Sequence, residues 1–306
     1  MLLSASTSMF NPYFSCEEII ELMSQAGFDA MDFSFHISKA FYGEETDSEV
    51  FKERFLRLRA MAEEKNMCFN QGHAPEGSSF ADEARTQRRF EDIARSIRNA
   101  SYLGIHTLVV HPVQHLPYCE DGVPERLFEM NVEFYNRLKP YCQEYNVKVA
   151  VENMWQQPVG LKIDHSTCSR PEEFIRYVDA LDSNWFVACL DIGHAVLVSE
   201  DPAAFIRKLG AKRLKALHVH DVDGIFDTHT LPYQGIINWD KVAAALKQID
   251  YEGDFTFESG AFLSKVPGPL RLSGARFMAD TGRYIINKIK GNYSGHPLTE
   301  NDIEVT

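Results

Sequence analysis

Short apolar, β-rich runs alternate with amphipathic stretches along the chain. The runs fall at about 2–9, 29–35, 67–73, 106–111, 147–152, 186–191, 214–220 and 254–258. Stretches of helical period lie between them, at about 15–26, 47–66, 82–103, 123–146, 171–182, 202–209 and 239–249, with a last one at about 273–290. A strand followed by a helix, repeated eight times, implies a parallel sheet with right-handed crossovers. The pattern therefore predicts an α/β protein, a (β/α)8 TIM barrel. TLVV (107–110) and VKVAV (147–151) are almost continuously apolar, as expected of strands buried on both faces.

Several helix boundaries have a local cause. Ser15 precedes Cys16, Glu17 and Glu18, so it can cap a helix whose N-terminus the acids favour. Pro171 follows Arg170 at a first helical turn, and Asn238 opens NWDKVAAALKQI as an N-cap. Gly27, Gly104 and Gly253 stand between a helix and a strand, where a left-handed C-cap is expected. No linker, low-complexity tract or charge block interrupts the pattern. One domain over 1–291 is the simplest division, followed by a polar C-terminal tail over 292–306.

The 306-residue length suits one barrel. No apolar run approaches the roughly 20 residues of a membrane span, and the N-terminus lacks the basic and apolar regions of a signal peptide. The six cysteines form no CxxC pair, so all are read as reduced and the compartment as cytoplasmic. Cys68 and Cys189 lie inside strand-like runs, where a thiol is expected to behave as a small buried hydrophobe. The formal net charge of −13 argues against a nucleic-acid partner, because phosphate neutralisation calls for a basic surface.

The chemistry lies in where the polar residues fall. Strand three ends in QGHAP (His73), strand four in VVHP (His111) and strand five in VAVEN (Glu152). Strand six ends in CLDIGH (Asp191, His194) and strand seven in LHVHD (His218, His220, Asp221). FDTH follows (Asp227, His229), and strand eight ends in FTFES (Glu258). In a barrel all strand C-termini open on one mouth, where barrel enzymes keep their chemistry. Acids and imidazoles together suit Zn²⁺, Mn²⁺, Co²⁺ or Mg²⁺. A lone histidine at a strand end is more often a hydrogen-bonded core residue, but a buried carboxylate needs a partner, and few bases stand near these ends. His218 and His220 share one strand face, and only one need be a ligand. Asp221 and Asp223 are expected to be loop or supporting groups. Trp155 and Phe35 are candidates for an apolar wall, and His36 is a further mouth candidate.

LDIGHA (190–195), LKALHVHDVDGIFDTHTLPYQGIINW (214–239) and FTFES (255–259) together resemble the xylose isomerase-like barrel superfamily. Its members include sugar (phosphate) isomerases and epimerases and their relative endonuclease IV. The resemblance covers about 28–260 and rests on the order Asp-x-x-His, His-x-x-Asp, Asp-x-His, Glu. It implies one divalent metal held by Glu152, Asp191, His218 and Glu258, with Glu152 and Glu258 also acting as acid and base and His194 touching a substrate oxygen. Further positions match the extra zinc ligands of endonuclease IV: His73, His111, His194, Asp227 and His229. His220 and Trp155 complete the candidate metal or substrate residues.

The implied reaction is isomerisation or epimerisation of a small-molecule sugar or sugar phosphate, or a related polyol or keto compound. A proton would move through a metal-stabilised cis-enediolate. A lyase or dehydratase would begin with the same proton abstraction. An endonuclease IV-like phosphoesterase would need several zincs, and a non-catalytic sugar- or metal-binding barrel would keep the ligands without proton exchange. Many barrels pair through helices or loops near the mouth, so a homo-oligomer is an expectation of the fold.

Overall fold

The computed structural model describes residues 1–10, 14–35, 49–157 and 162–292. Eight parallel strands form the barrel: β1 (Leu3–Ser6), β2 (Ala30–Ser34), β3 (Cys68–His73), β4 (Thr107–Val110), β5 (Lys148–Glu152), β6 (Phe186–Asp191), β7 (Leu214–His218) and β8 (Phe255–Phe257). They pair in chain order, and β8 returns to β1 through Leu3↔Phe255. Between β7 and β8 the wall closes on a single bridge, Val219↔Phe257, where the Val219 amide donates to the Thr256 carbonyl at 2.9 Å.

Most of the helix caps predicted from the sequence form, with one exception at Gly253. The helix Cys16–Ala26 starts in a reciprocal box, with Glu18 N donating to Ser15 Oγ (3.2 Å) and Ser15 N to Glu18 Oε2 (2.7 Å). Asn238 caps Trp239–Gln248, and Pro171 opens Pro171–Asp179. Gly27 and Gly104 are left-handed. Gly253 is not: the left-handed residue after Trp239–Gln248 is Asp250 (φ 53°). Gly253 serves close approach instead, because a Cβ there would lie against the Tyr251 hydroxyl and the Lys215 carbonyl. The helix Pro202–Arg213 breaks at Gly210, which explains why the helical pattern stops at 209. A short helix after β6, Ile192–Leu197, and a two-stranded ribbon, Trp155–Gln156 with Asp164–His165, were not anticipated.

Two packing layers follow from the strand period of two. Val110, Val151, Ala188, Leu190 and Leu217 join the large core between barrel and helices. The alternate residues Val109, Ala150, Val187, Cys189 and Ala216 form a separate small cluster inside the barrel. Two positions further along the same faces stand His111, Glu152, Asp191 and His218. The interior is thus floored by small apolar side chains and topped by the candidate ligands. Register shifts at Met31/Asp32 between β2 and β3, and at Ala188/Cys189 between β6 and β7, set which residues face each other near the top.

Two further sequence expectations are corrected. Cys68 is exposed at the entry of β3, whereas Cys189 is buried; all six cysteines are free. Phe35 packs edge-on against Phe33 in the core cluster with Phe55 instead of walling the mouth. His36, the start of the second predicted helix and residues 293–306 of the expected tail lie outside the described residues. Among the described residues no helix is long and apolar enough to cross a membrane.

Candidate metal centre

The mouth opens into a cavity of about 640 Å³. Its lining includes His73, His111, Glu152, Trp155, His194, Asp227, His229 and Glu258, eight of the eleven residues singled out from the sequence. Asp191, His218 and His220 lie just beneath, fully buried.

Glu152, at the end of β5, is the hub. Its Oε1 is 2.9 Å from His218 Nδ1 and 3.7 Å from His194 Nδ1. Its Oε2 is 3.2 Å from His111 Nε2 and 3.5 Å from His73 Nε2, yet makes no hydrogen bond. His218 Nδ1 also faces Glu258 Oε2 at 3.7 Å. The two glutamates therefore approach His218 from strands three steps apart in the barrel. Potential ligand atoms of Asp191, His218 and Glu258 lie within 4.8 Å of one another, as do those of His73, Glu152 and His218 and those of Glu152, Asp191 and His194.

A second cluster lies alongside: His194, His220, Asp227 and His229 also meet within 4.8 Å. Asp227 Oδ2 is 3.1 Å from His229 Nε2 and 3.4 Å from His194 Nε2, and accepts from Trp155 Nε1 at 3.3 Å. His220 stacks on His229 with ring centroids 3.9 Å apart, and its Nε2 sits 3.0 Å from both oxygens of Asp191. His218 and His220 share a face, as the spacing required, but serve different clusters.

Asp191 holds both its place and its neighbours. Its Oδ1 accepts the His194 amide (2.7 Å) and so caps the short helix Ile192–Leu197. Asn153 clamps its backbone, donating to the Asp191 carbonyl and accepting its amide. Asp221 is structural: buried, it accepts from the amides of Val222, Tyr233 and Ile237 and from Trp239 Nε1. Asp223 turns the following loop through the amides of Ile225 and Phe226. Both behave as the supporting groups expected of them.

The protonation pattern tests whether this donor set fits a cation. His73, His194 and His229 each direct Nδ1 at a backbone carbonyl: Ala74 at 2.7 Å, Asn153 at 2.8 Å and Glu258 at 2.8 Å. A carbonyl only accepts, so Nδ1 carries the hydrogen and the Nε2 of a neutral ring is a lone pair. Those Nε2 atoms face the carboxylates of Glu152 and Asp227. Lone pair against carboxylate is repulsive unless a second proton or a metal ion lies between them. Without a metal the proton does it. Burial alone would lower the His73 pKa, but the neighbouring carboxylate of Glu152 pushes it up to about 9. Burial opposes and Asp227 likewise raises His229 to about 9. His194 and His218 also end well above the usual histidine range: burial acts against the charge, and Asp191 and Asp227 outweigh it for His194, as the carboxylates of Glu258 and Glu152 do for His218. Glu152 is held well below the carboxylate range, its desolvation outweighed by His218 and His111. Buried Glu152 Oε2, Asp227 Oδ1 and His220 Nδ1 remain without hydrogen-bond partners. Nitrogen lone pairs with orphaned carboxylate oxygens suit a borderline divalent cation.

Sequence reasoning missed the hydroxyls lining the cavity, Ser6, Ser8, Ser34 and Ser264, and the buried carboxylate of Asp32 beneath His218. Single serines after short strands carry no signal of their own. Asp32 sits within a run that reads as ordinary strand.

A family model described as xylose isomerase-like TIM barrel matches residues 20–278. An uncharacterized protein of Methanocaldococcus jannaschii, MJ1311, is 28% identical over 173 residues, which is 55% of this chain and 56% of that protein. The match thus spans little more than half the length of that relative. D-psicose 3-epimerase of Enterocloster bolteae is 23% identical over 247 residues, 79% of this chain and 76% of its own. Among solved structures, a D-tagatose 3-epimerase-like protein superposes with a TM-score of 0.74 at 20% identity, covering 95% of this chain and 99% of its own. The IOLI protein with a bound zinc atom gives 0.72 at 16% identity, over 96% and 100%. At these identities the structural likeness carries the fold.

Proposed function

The chain belongs to the xylose isomerase-like TIM barrel family, and from that premise we propose that it is a divalent-metal-dependent isomerase or epimerase of a sugar or sugar phosphate. The observation that carries the reading is the pair Glu152 and Glu258, which reach the cavity from β5 and β8 and both face Nδ1 of His218. Glu152, Asp191, His218 and Glu258 would hold the cation, as in the resemblance read from the sequence. A bound divalent ion supplies Lewis-acid stabilisation of negative charge on neighbouring substrate oxygens.

The chain's own residues do the rest. Glu152 is nine-tenths buried or more and ionised, and Glu258 is 17% exposed at the cavity wall. Two carboxylates at different sides of one substrate carbon can take a proton from one face and return it to the neighbouring carbon or the opposite face. His194, held by the Asn153 carbonyl, orients a substrate oxygen. Trp155, its ring nearly perpendicular to that of His194, gives the sugar an apolar wall. The epimerase names among the relatives support the same class.

The test is proton exchange. Metal-loaded protein incubated in D2O with a panel of ketoses, aldoses and their phosphates is expected to place deuterium beside the carbonyl of at least one. No incorporation into any member, from protein shown to hold metal, overturns the proposal.

One observation favours a second reading, a multi-zinc phosphoesterase of the endonuclease IV kind. The cluster of His194, Asp227 and His229, with His220, could hold a further ion beyond the first. That reading predicts about three zincs per chain, cleavage of abasic DNA and binding that falls steeply with salt. The net charge of −13 stands against it.

A further inference from the structure

Asp32 lies at the middle of β2 with no exposed surface. Its Oδ2 accepts from Gln71 Nε2 at 3.0 Å, and its Oδ1 has no hydrogen-bond partner. One neutral amide is poor compensation for a buried carboxylate. Beside it also lies the far edge of His218, whose Nε2 stands 3.6 Å from Asp32 Oδ2 and lacks a hydrogen-bond partner. The opposite edge, Nδ1, faces Glu152 and Glu258.

The geometry around Asp32 is built by the strand register. The shift between Met31 and Asp32 pairs Asp32 with Gln71 and not with Asn70. Side chains alternate along a strand, so an unshifted β3 would turn the Gln71 amide to the other face. The irregularity thus keeps Gln71 on Asp32 and holds the carboxylate beneath His218.

We propose that Asp32 is a positioning residue: by taking the Nε2 hydrogen of His218 it fixes the ring and leaves the Nδ1 lone pair aimed at the metal position. This rests on the metal reading above. Closing the 3.6 Å gap to an ordinary hydrogen bond needs a shift of about 0.6 Å. His73, His194 and His229 are oriented by backbone carbonyls through their Nδ1 atoms. His218 binds through the other nitrogen, and a carboxylate takes the carbonyl's part. Such outer partners raise ligand basicity and fix the tautomer.

The experiment is a Co²⁺ titration of wild type, Asp32→Ala and Asp32→Asn, reading the dissociation constant against a chelator and the visible absorption of the bound ion. Asp32→Ala is expected to bind Co²⁺ about 10–100-fold more weakly with an altered spectrum, and Asp32→Asn, which keeps an acceptor oxygen, to recover most of the loss. Circular dichroism and melting of the metal-free proteins establish the fold. Should the alanine cavity cost the fold, Asp32→Leu fills the volume without an acceptor and serves the same comparison. An Asp32→Ala (or Asp32→Leu) protein with wild-type affinity and spectrum overturns the role of Asp32 alone. Equal loss in Asp32→Asn assigns the effect to charge and overturns the orienting role. A wild type that takes up no cobalt removes the metal reading, and this inference with it.

Discussion

Asp221→Asn should loosen the loop that carries half of the second cluster while leaving the barrel folded. Asp221 Oδ1 accepts from Val222 N (3.0 Å) and Ile237 N (3.1 Å), and Oδ2 from Tyr233 N (3.0 Å) and Trp239 Nε1 (2.8 Å). These four bonds close the segment 222–239, which includes Asp227 and His229. An asparagine keeps one acceptor oxygen, and its NH2 must face two of the four donors. Each hydrogen bond to a charged acceptor contributes about 1.5–3 kcal/mol, so the loss is about 3–6 kcal/mol. For a domain of this size that lowers Tm by roughly 5–9 °C. The assay pairs thermal melting with amide hydrogen exchange. Exchange should accelerate across 222–239 and remain as in wild type at β4 and β5. Asp223→Asn is the control, because Asp223 makes its two bonds at an exposed turn and should cost less than about 1 kcal/mol. An Asp221→Asn protein with unchanged Tm and unchanged exchange in the loop would show that these four bonds do not hold the segment.

Glu152→Gln and Glu258→Gln should each abolish turnover and deuterium exchange while circular dichroism stays native; wild-type activity in both would sink the proton-transfer pair. His73 and His229, each raised to about 9 without metal, are protonated at pH 7.5, so metal uptake should release protons. Calorimetry in buffers of different ionisation heat reads this, and a buffer-independent heat would contradict it. The folded-state values lie above the ordinary 6.5, so the stabilisation from these two histidines is complete below pH 6.5 and is lost as pH rises through 9. Melts of metal-free protein should fall across that window, whereas a flat profile speaks against the ion pairs. Gly193→Ala would put a methyl inside the His220 ring, so His220 must leave Asp191; overpacking of this kind costs about 1–3 kcal/mol. A melt within error of wild type would show that His220 is not held there.

The barrel was readable because each strand had to be apolar on two faces and each helix on one. Phe186–Asp191 matches its predicted run end to end. Elsewhere the ends moved by a few residues, since hydrophobic period locates a strand but not its last hydrogen bond. Ile192–Leu197 was invisible because it depends on Asp191 acting as a cap, a role that a ligand-like Asp at a strand end does not announce. The mouth was readable for a geometric reason: Val109, Ala150, Cys189 and Ala216 floor the barrel, and the residues two further on are the polar ones. How the histidines divide was not readable. His220 belongs with Asp191 and His229 because Gly193 leaves room for its ring, a spatial fact between distant segments. Phe35 looked like a mouth residue by position, yet the absent side chain at Gly72 gives its ring a place in the core, with Phe35 Cε2 at 3.1 Å from where a Cβ would be.

Elemental analysis of protein purified without added metal reads whether the mouth holds a divalent ion. About one Zn, Mn, Co or Mg per chain, retained through dialysis and lost from Glu152→Gln, is the predicted result. Protein that holds no metal, and takes none up when it is offered, has no metal-dependent proton transfer at this mouth.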